Sequence, residues 1–356
     1  MEKLKNMERA LDEIASREGG GFLADRETIL HRYGQNTGEN GLAIKILSIF
    51  GGVLATLAFA AFLGYLDIFD SKAAILGLGI ILLLLSLGIQ RMFNALVLDS
   101  LGISLYILGM AMLIFGMGQF DIHGNSIVLL VSLLALGSLP LSKNYVLNFI
   151  SMLILAGALL YLILENELPD LIHVYVIFYT LALAFCMLQE AKFLAARPLL
   201  SRLHGPLRIG LVFSLLIGLG TIGATGLAPK GTGHLWISAL APVAIILGLI
   251  PSITKTLGTP PRNRNLIYIL AALTLLPTLF APAIAGSLLL VLLSFMVNYR
   301  TGSALGAIAL ACFTIQFYYD LNLDLLTKSI LLLASGLLFL ACHLLFTLKN
   351  RSHEEV

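Results

Sequence analysis

The stretch "KAAILGLGIILLLLSLGIQR", Lys72–Arg91, decides the fold. Between its lysine and its arginine lies an uncharged run, 73–89, in which Ser86 is the only hydroxyl-bearing residue. A bilayer's hydrocarbon core takes about 17–25 apolar residues per helix. The run therefore reads as a membrane span with a charge at each surface. The rest of the chain agrees: of 356 residues, 58% are hydrophobic and only 12% charged. A soluble domain is about a quarter charged, so the number of such runs, and not the length, sets the architecture.

Twelve runs read as spans: 46–66, 73–89, 96–119, 126–141, 145–164, 171–188, 209–227, 235–250, 266–281, 283–299, 303–319 and 326–347. The expected fold is an all-α polytopic membrane protein with about 12 transmembrane helices. The weakest divisions are at 126–141 and 266–281. Within "LPTLFAPAIAGSLL", Pro277 and Pro282 each remove a backbone donor and crowd the preceding turn. A tight hairpin is expected there, with one long kinked region as the alternative.

Charge gives an independent check. With a cytoplasmic N-terminus, all but three of the 22 Lys and Arg residues fall on the cytoplasmic side. The exceptions are Lys72, Lys230 and Lys328. Cytoplasmic loops carry such an excess of positive charge. An even number of spans with both termini cytoplasmic follows. The first apolar run begins near Ile46, too far along for a secretory signal. A net charge of +2 with no dense basic tract gives no reason to expect a nucleic-acid partner.

The expected organisation is a cytoplasmic helical segment at 1–44, six spans over 45–189, a linker at 190–208, six spans over 209–348 and a tail at 349–356. In the N-terminal segment, Leu4, Met7, Leu11 and Ile14 recur at helical spacing before Gly19–Gly21. This is either a helical pair lying on the membrane face or a docking stripe for a partner helix. The linker "EAKFLAARPLLSRLHGPLR" mixes Phe and Leu with Lys192, Arg197, Arg202 and Arg208, which suits an anionic leaflet surface. Pro198 and Pro206 are expected to keep it from forming one straight helix.

Two small-residue ladders promise close helix packing. They are Gly52, Thr56, Ala60 and Gly64 in the first span, and Gly210, Ser214 and Gly218 in the seventh. Packing inside the bundle is the expected use, and a homo-oligomer seam is the alternative. Cys186, Cys312 and Cys342 all lie in apolar runs, as small hydrophobes do.

Ionisable side chains in mid-membrane are costly and usually functional, and no carboxylate or lysine sits near the centre of any expected span. Asp99, Lys45 and His343 lie toward cytoplasmic ends. Polar mid-span candidates reduce to Ser104, Ser214, Thr221 and Gln316. This argues against a proton pump and fits an apolar or lipid-like cargo, or a scaffold. HExxH, GxSxG and Walker patterns are absent and no GxGxxG opens a helix, so neither an enzyme nor a cofactor is expected. Asp121, His123, Glu165, Asp170 and His173, with Glu167 and His234, lie in or beside outer loops. They are weak metal candidates, since polar loop residues gather there anyway.

One outer junction carries more than topology demands. In "QFYYDLNLDLLTKS", Gln316–Ser329, Asp324 can cap the last helix and Lys328 can pair with it one turn on. Tyr318 and Tyr319 suit an interface. The second tyrosine, Asp320 and Lys328 exceed that role. Gln316, Tyr318, Tyr319, Asp320 and Lys328 are therefore the ligand-or-partner candidates.

The longer segment "IQFYYDLNLDLLTKSILLLASGLLFLA", 315–341, resembles the closing segment of a bacterial membrane family, the domain of unknown function 4401. The Tyr-Tyr-Asp-Leu, the Leu-Leu-x-Lys-Ser and the Leu-rich helix with Gly336 carry the likeness. Over 42–300 only the pattern of hydropathy and loops is similar. A related family, 2157, shares the multi-pass plan. The resemblance implies a bacterial inner-membrane location and no established activity, and it assigns no role to any residue. It also implies a partner, a small companion membrane protein named for its GDYxxLxY motif. The expected function is a non-catalytic component of a membrane complex. The alternatives are a carrier or flippase-like protein for a small or lipidic solute, and a membrane-embedded enzyme.

Overall fold

The computed structural model describes residues 56–65, 71–92, 96–196, 198–223, 234–256 and 261–320, with single positions at 51 and 54 and between 326 and 340. The N-terminal helical segment, Gly52, Lys328 and most of the last expected span lie outside them. Among the described residues the fold is all-helical. The helices are α1 (Thr56–Tyr65), α2 (Lys72–Met92), α3 (Leu96–Gln119), α4 (Gly124–Leu141), α5 (Tyr145–Glu165), α6 (Leu171–Leu188), α7 (Glu190–Ala196), α8 (Pro198–Gly223), α9 (Trp236–Thr256), α10 (Pro261–Leu275), α11 (Pro282–Met296) and α12 (Arg300–Asp320). Every expected span except the last has an apolar helix at its position, and eight of these helices are long enough to cross a membrane. The helices group by contact into two compact units, 1–154 and 155–356.

In the first unit, α2 and α3 approach backbone to backbone. A Cβ placed on Gly79 would stand 3.2 Å from the Gly109 carbonyl oxygen, and one on Gly109 would stand 3.1 Å from that of Gly79. Further along, Gly102 meets Gln90, and Gly116 meets Leu76. Positions rise on one helix as they fall on the other, so the pair is antiparallel. Gly102, Gly109 and Gly116 are seven apart, two turns each, and so recur on one face of α3, where they let the two backbones approach. Ser86 donates to the Gly102 carbonyl at 2.6 Å across the same seam. Lys72 lies 5.9 Å from the centre of the Phe120 ring where the helix pair ends. Leu63, Ile75, Leu82, Leu105 and Met112 form the apolar core beside it. Asn144 starts α5 by accepting from the amides of Val146 (2.8 Å) and Leu147 (3.2 Å), as an N-cap does.

In the second unit, α8 packs against α6, α7, α11 and α12. Its small-residue ladder is buried. A Cβ on Gly218 would stand 2.5 Å from the Tyr175 ring of α6. The Tyr175 hydroxyl donates to the Ser214 carbonyl at 3.1 Å. The ladder thus serves packing within the unit. In the first-span ladder, Thr56 and Ala60 are half-buried and Gly64 is exposed.

The linker differs from expectation. Pro198 does open a new helix, at the first position, where its missing donor is harmless. Pro206, however, lies inside α8, which runs on unbroken into the seventh span. Residues 198–208 are therefore the first turns of that span. Pro206 and His204 are both buried, and His204 Nε2 donates to the Cys186 carbonyl at 3.2 Å. These contacts hold the helix through the proline.

The helix does break at Pro277–Phe280, a 3-10 turn between α10 and α11. The turn from α11 to α12 is tight. Asn298 takes a left-handed φ of 55°, and Tyr299 N–H donates back to the Ser294 carbonyl at 2.8 Å. Asparagine is among the few non-glycine residues that adopt this conformation readily.

Candidate functional site

α12 ends with Phe313, Gln316, Phe317 and Asp320 on one face, spaced by three, one and three residues. They line a cavity of about 300 Å³. The opposite walls are Ile222 and Gly223 at the end of α8, Leu235 just before α9, Phe280 of the 3-10 turn, and 281–284 at the start of α11. Two helix ends and two helix starts therefore meet at one end of the unit. On the topology expected from charge, all of them would fall on one side, the outer one.

Small residues make the space. Gly223, Ala281 and Ala283 line the cavity, and a Cβ on Gly223 would stand 3.3 Å from the Ala283 methyl. Gly220, one helical turn before, leaves room for Phe313, whose ring would lie 3.9 Å from a Cβ there. The walls are largely hydrocarbon, with Gln316 and Asp320 as the polar side chains. Both are half-buried. Asp320 Oδ2 is shielded from solvent and accepts no hydrogen bond among the described residues. The nearby start of α11 does not supply one: Pro282 has no N–H, and the amides of Ile284 and Ala285 donate to the Ala281 carbonyl (3.0 and 3.1 Å).

The ligand-or-partner candidates are thus divided. Gln316 and Asp320 come together on the cavity. Tyr318 packs edge to face on Tyr319, with ring centres 5.7 Å apart. Neither tyrosine lines the cavity, and Tyr319 is 73% exposed. Lys328 lies outside the described residues.

The metal candidates do not assemble. Asp121 and His123 are exposed in the first unit, and Glu165 and Asp170 are exposed in the second. His173 is buried, and its Nδ1 lies 2.6 Å from Ser238 Oγ, joining α6 to α9. Among the described residues no three His, Cys, Asp or Glu side chains group to hold a metal.

Two polar clusters escape the sequence reading. In the first unit, Tyr106, Ser138 and Ser151 hydrogen-bond one another at 2.8–3.1 Å, joining α3, α4 and α5. All three are buried. In the second unit, Arg208 stacks on Tyr299 with its guanidinium carbon 3.9 Å from the ring centre, and its Nη1 lies 3.5 Å from Glu190. His204 Nδ1 is 3.8 Å from the same carboxylate. This cluster joins α7, α8 and the α11–α12 turn at the other end of the unit.

Two further apolar clefts lie among the described residues. One of about 460 Å³ lies among α2, α3 and α4, and one of about 530 Å³ lies between the end of α5 and α6. Polar atoms are nearly absent from both.

No curated protein and no solved structure matches the chain. The family model for Domain of unknown function (DUF4401) matches residues 41–349. Its reach extends well beyond the closing segment that carried the resemblance, and the chain belongs to this family.

Proposed function

We propose that the protein is a non-catalytic, solute-binding protein of the bacterial inner membrane, with twelve spans and both termini cytoplasmic. It takes a small amphiphilic solute into the cavity between α8, α11 and α12. The cavity itself carries this reading: about 300 Å³ of largely apolar space with a shielded carboxylate oxygen at its edge that accepts no hydrogen bond among the described residues. Small-molecule sites have this composition, apolar walls with a few placed polar groups, and start near this volume.

A thermal-shift screen of small solutes on the purified full-length chain tests this, with Ala283→Leu as the cavity-filling control. The expected result is at least one solute that raises the unfolding midpoint of the wild type and not of the variant. Solutes that stabilise both equally, or none that stabilises the wild type, contradict the reading.

A second reading, membership of a membrane complex with a small companion protein or a second copy, draws on α12. Ile308, Ile315 and Tyr319 share a stripe there, all more than half exposed. Affinity purification in mild detergent tests it. A stoichiometric partner supports the reading, and an isolated monomer counts against it.

A further inference from the structure

We infer that the cavity recognises an organic ammonium ion, the cationic head of a small amine or quaternary ammonium compound. This rests on the solute-binding reading above and names its ligand class. The cavity offers one carboxylate, Asp320, one amide, Gln316, and three phenylalanines, Phe280, Phe313 and Phe317. Aromatic faces attract cations through the ring quadrupole, and aromatic residues beside a carboxylate are a recurring receptor for ammonium groups.

Other ligand classes fit less well. An anion would meet the carboxylate with like charge. A hydrated metal ion needs about six oxygen ligands to replace its water, and these walls are mainly hydrocarbon. A neutral sugar would need many hydrogen-bonding partners, and the cavity has two polar side chains. An organic ammonium ion needs little: one negative charge, aromatic faces and space for its carbon atoms. A primary ammonium also donates a hydrogen bond to Asp320 Oδ2, which otherwise accepts nothing among the described residues, and a quaternary one offsets its charge.

The chain supplies its own reporter. Trp236 is the only tryptophan in the sequence and adjoins Leu235 on the cavity wall. The test is a fluorescence titration of the purified full-length chain. The probes are choline and butylammonium, set against 3,3-dimethylbutan-1-ol and butan-1-ol, their uncharged counterparts. The expected result is a saturable change with at least one cation and none with the alcohols. Asp320→Asn should weaken that binding about tenfold or more, and Phe313→Leu should weaken it while leaving the carboxylate in place. Gel-filtration profile and unfolding midpoint check that each variant is folded.

Alcohols that bind as well as the cations, with Asp320→Asn unchanged, overturn the ammonium assignment and leave the solute-binding reading standing. A cation response that emerges only in Lys328→Met also overturns it, by making Lys328 the partner of Asp320. No response to any probe, together with a solute screen in which Ala283→Leu matches the wild type, removes both readings.

Discussion

Asp320 and Tyr319 are neighbours in the chain, and the helix sends them to different faces. One lines a cavity and the other stands 73% exposed. The sequence marked the cluster from Gln316 to Lys328 as richer than a helix end requires. It did not reveal the division within it, because the other walls come from three distant segments around residues 222, 235 and 282. The spacing of 313, 316, 317 and 320 was readable, but a shared face says nothing about what it faces. The Tyr106–Ser138–Ser151 cluster was hidden for a similar reason. Each member is an ordinary residue in its own helix, and only tertiary packing joins them. Ser151→Ala should cost about 0.6 kcal/mol and at most about 1.7 kcal/mol, the mean and maximum measured for hydrogen bonds between membrane helices. Tyr106→Phe should cost a similar amount. The double variant should cost less than the two effects added together, since both remove the shared 3.0 Å bond. Unfolding of the detergent-solubilised protein, followed by helical signal, measures all three. Full additivity would mean that the cluster does not act as a unit.

At the scale of elements, hydropathy located the described helices closely. The third and sixth expected spans, 96–119 and 171–188, match α3 and α6 at both ends. The start of α8 did not follow, because proline's effect depends on its surroundings. Pro198 starts the helix, whereas Pro206 is carried inside it by buried contacts. The four-residue ladder of Gly210, Ser214 and Gly218 was legible as a packing face. The seven-residue series Gly102, Gly109 and Gly116 was equally available, but the search for small residues every fourth position passed over it. Gly218→Leu should destabilise by about 1–3 kcal/mol through overpacking against Tyr175. Gly137→Leu should change stability little, since a Cβ there meets nothing within 4 Å. Equal effects in an unfolding assay would argue against the α6–α8 contact. Arg208→Lys keeps the charge near Glu190 and loses the flat stack on Tyr299. The expected loss is about 0.5–1 kcal/mol, and Tyr299→Leu should abolish the difference between Arg and Lys. A difference that persists in Tyr299→Leu would assign Arg208 a different role.

Across the whole molecule, composition alone excluded a soluble fold, and the charge asymmetry supplied an orientation. Within the second unit, helix ends with the same expected side lie together. Ends assigned to the outside meet at the cavity, and ends assigned to the cytoplasm meet at Glu190, His204, Arg208 and Tyr299. The family match over 41–349 adds kinship without activity. Function was the least legible layer, since a cavity is a property of assembled walls. The account's central claim is a solute site open to the outer face. The most direct test is thiol labelling of Gln316→Cys in a chain whose Cys186, Cys312 and Cys342 are replaced by alanine, in intact cells, with a membrane-impermeant maleimide. Tyr299→Cys serves as the control at the opposite end. The account predicts labelling of Gln316→Cys from outside without permeabilisation, and of Tyr299→Cys only after it. Labelling of Tyr299→Cys from outside, or no labelling of Gln316→Cys from outside, would contradict it.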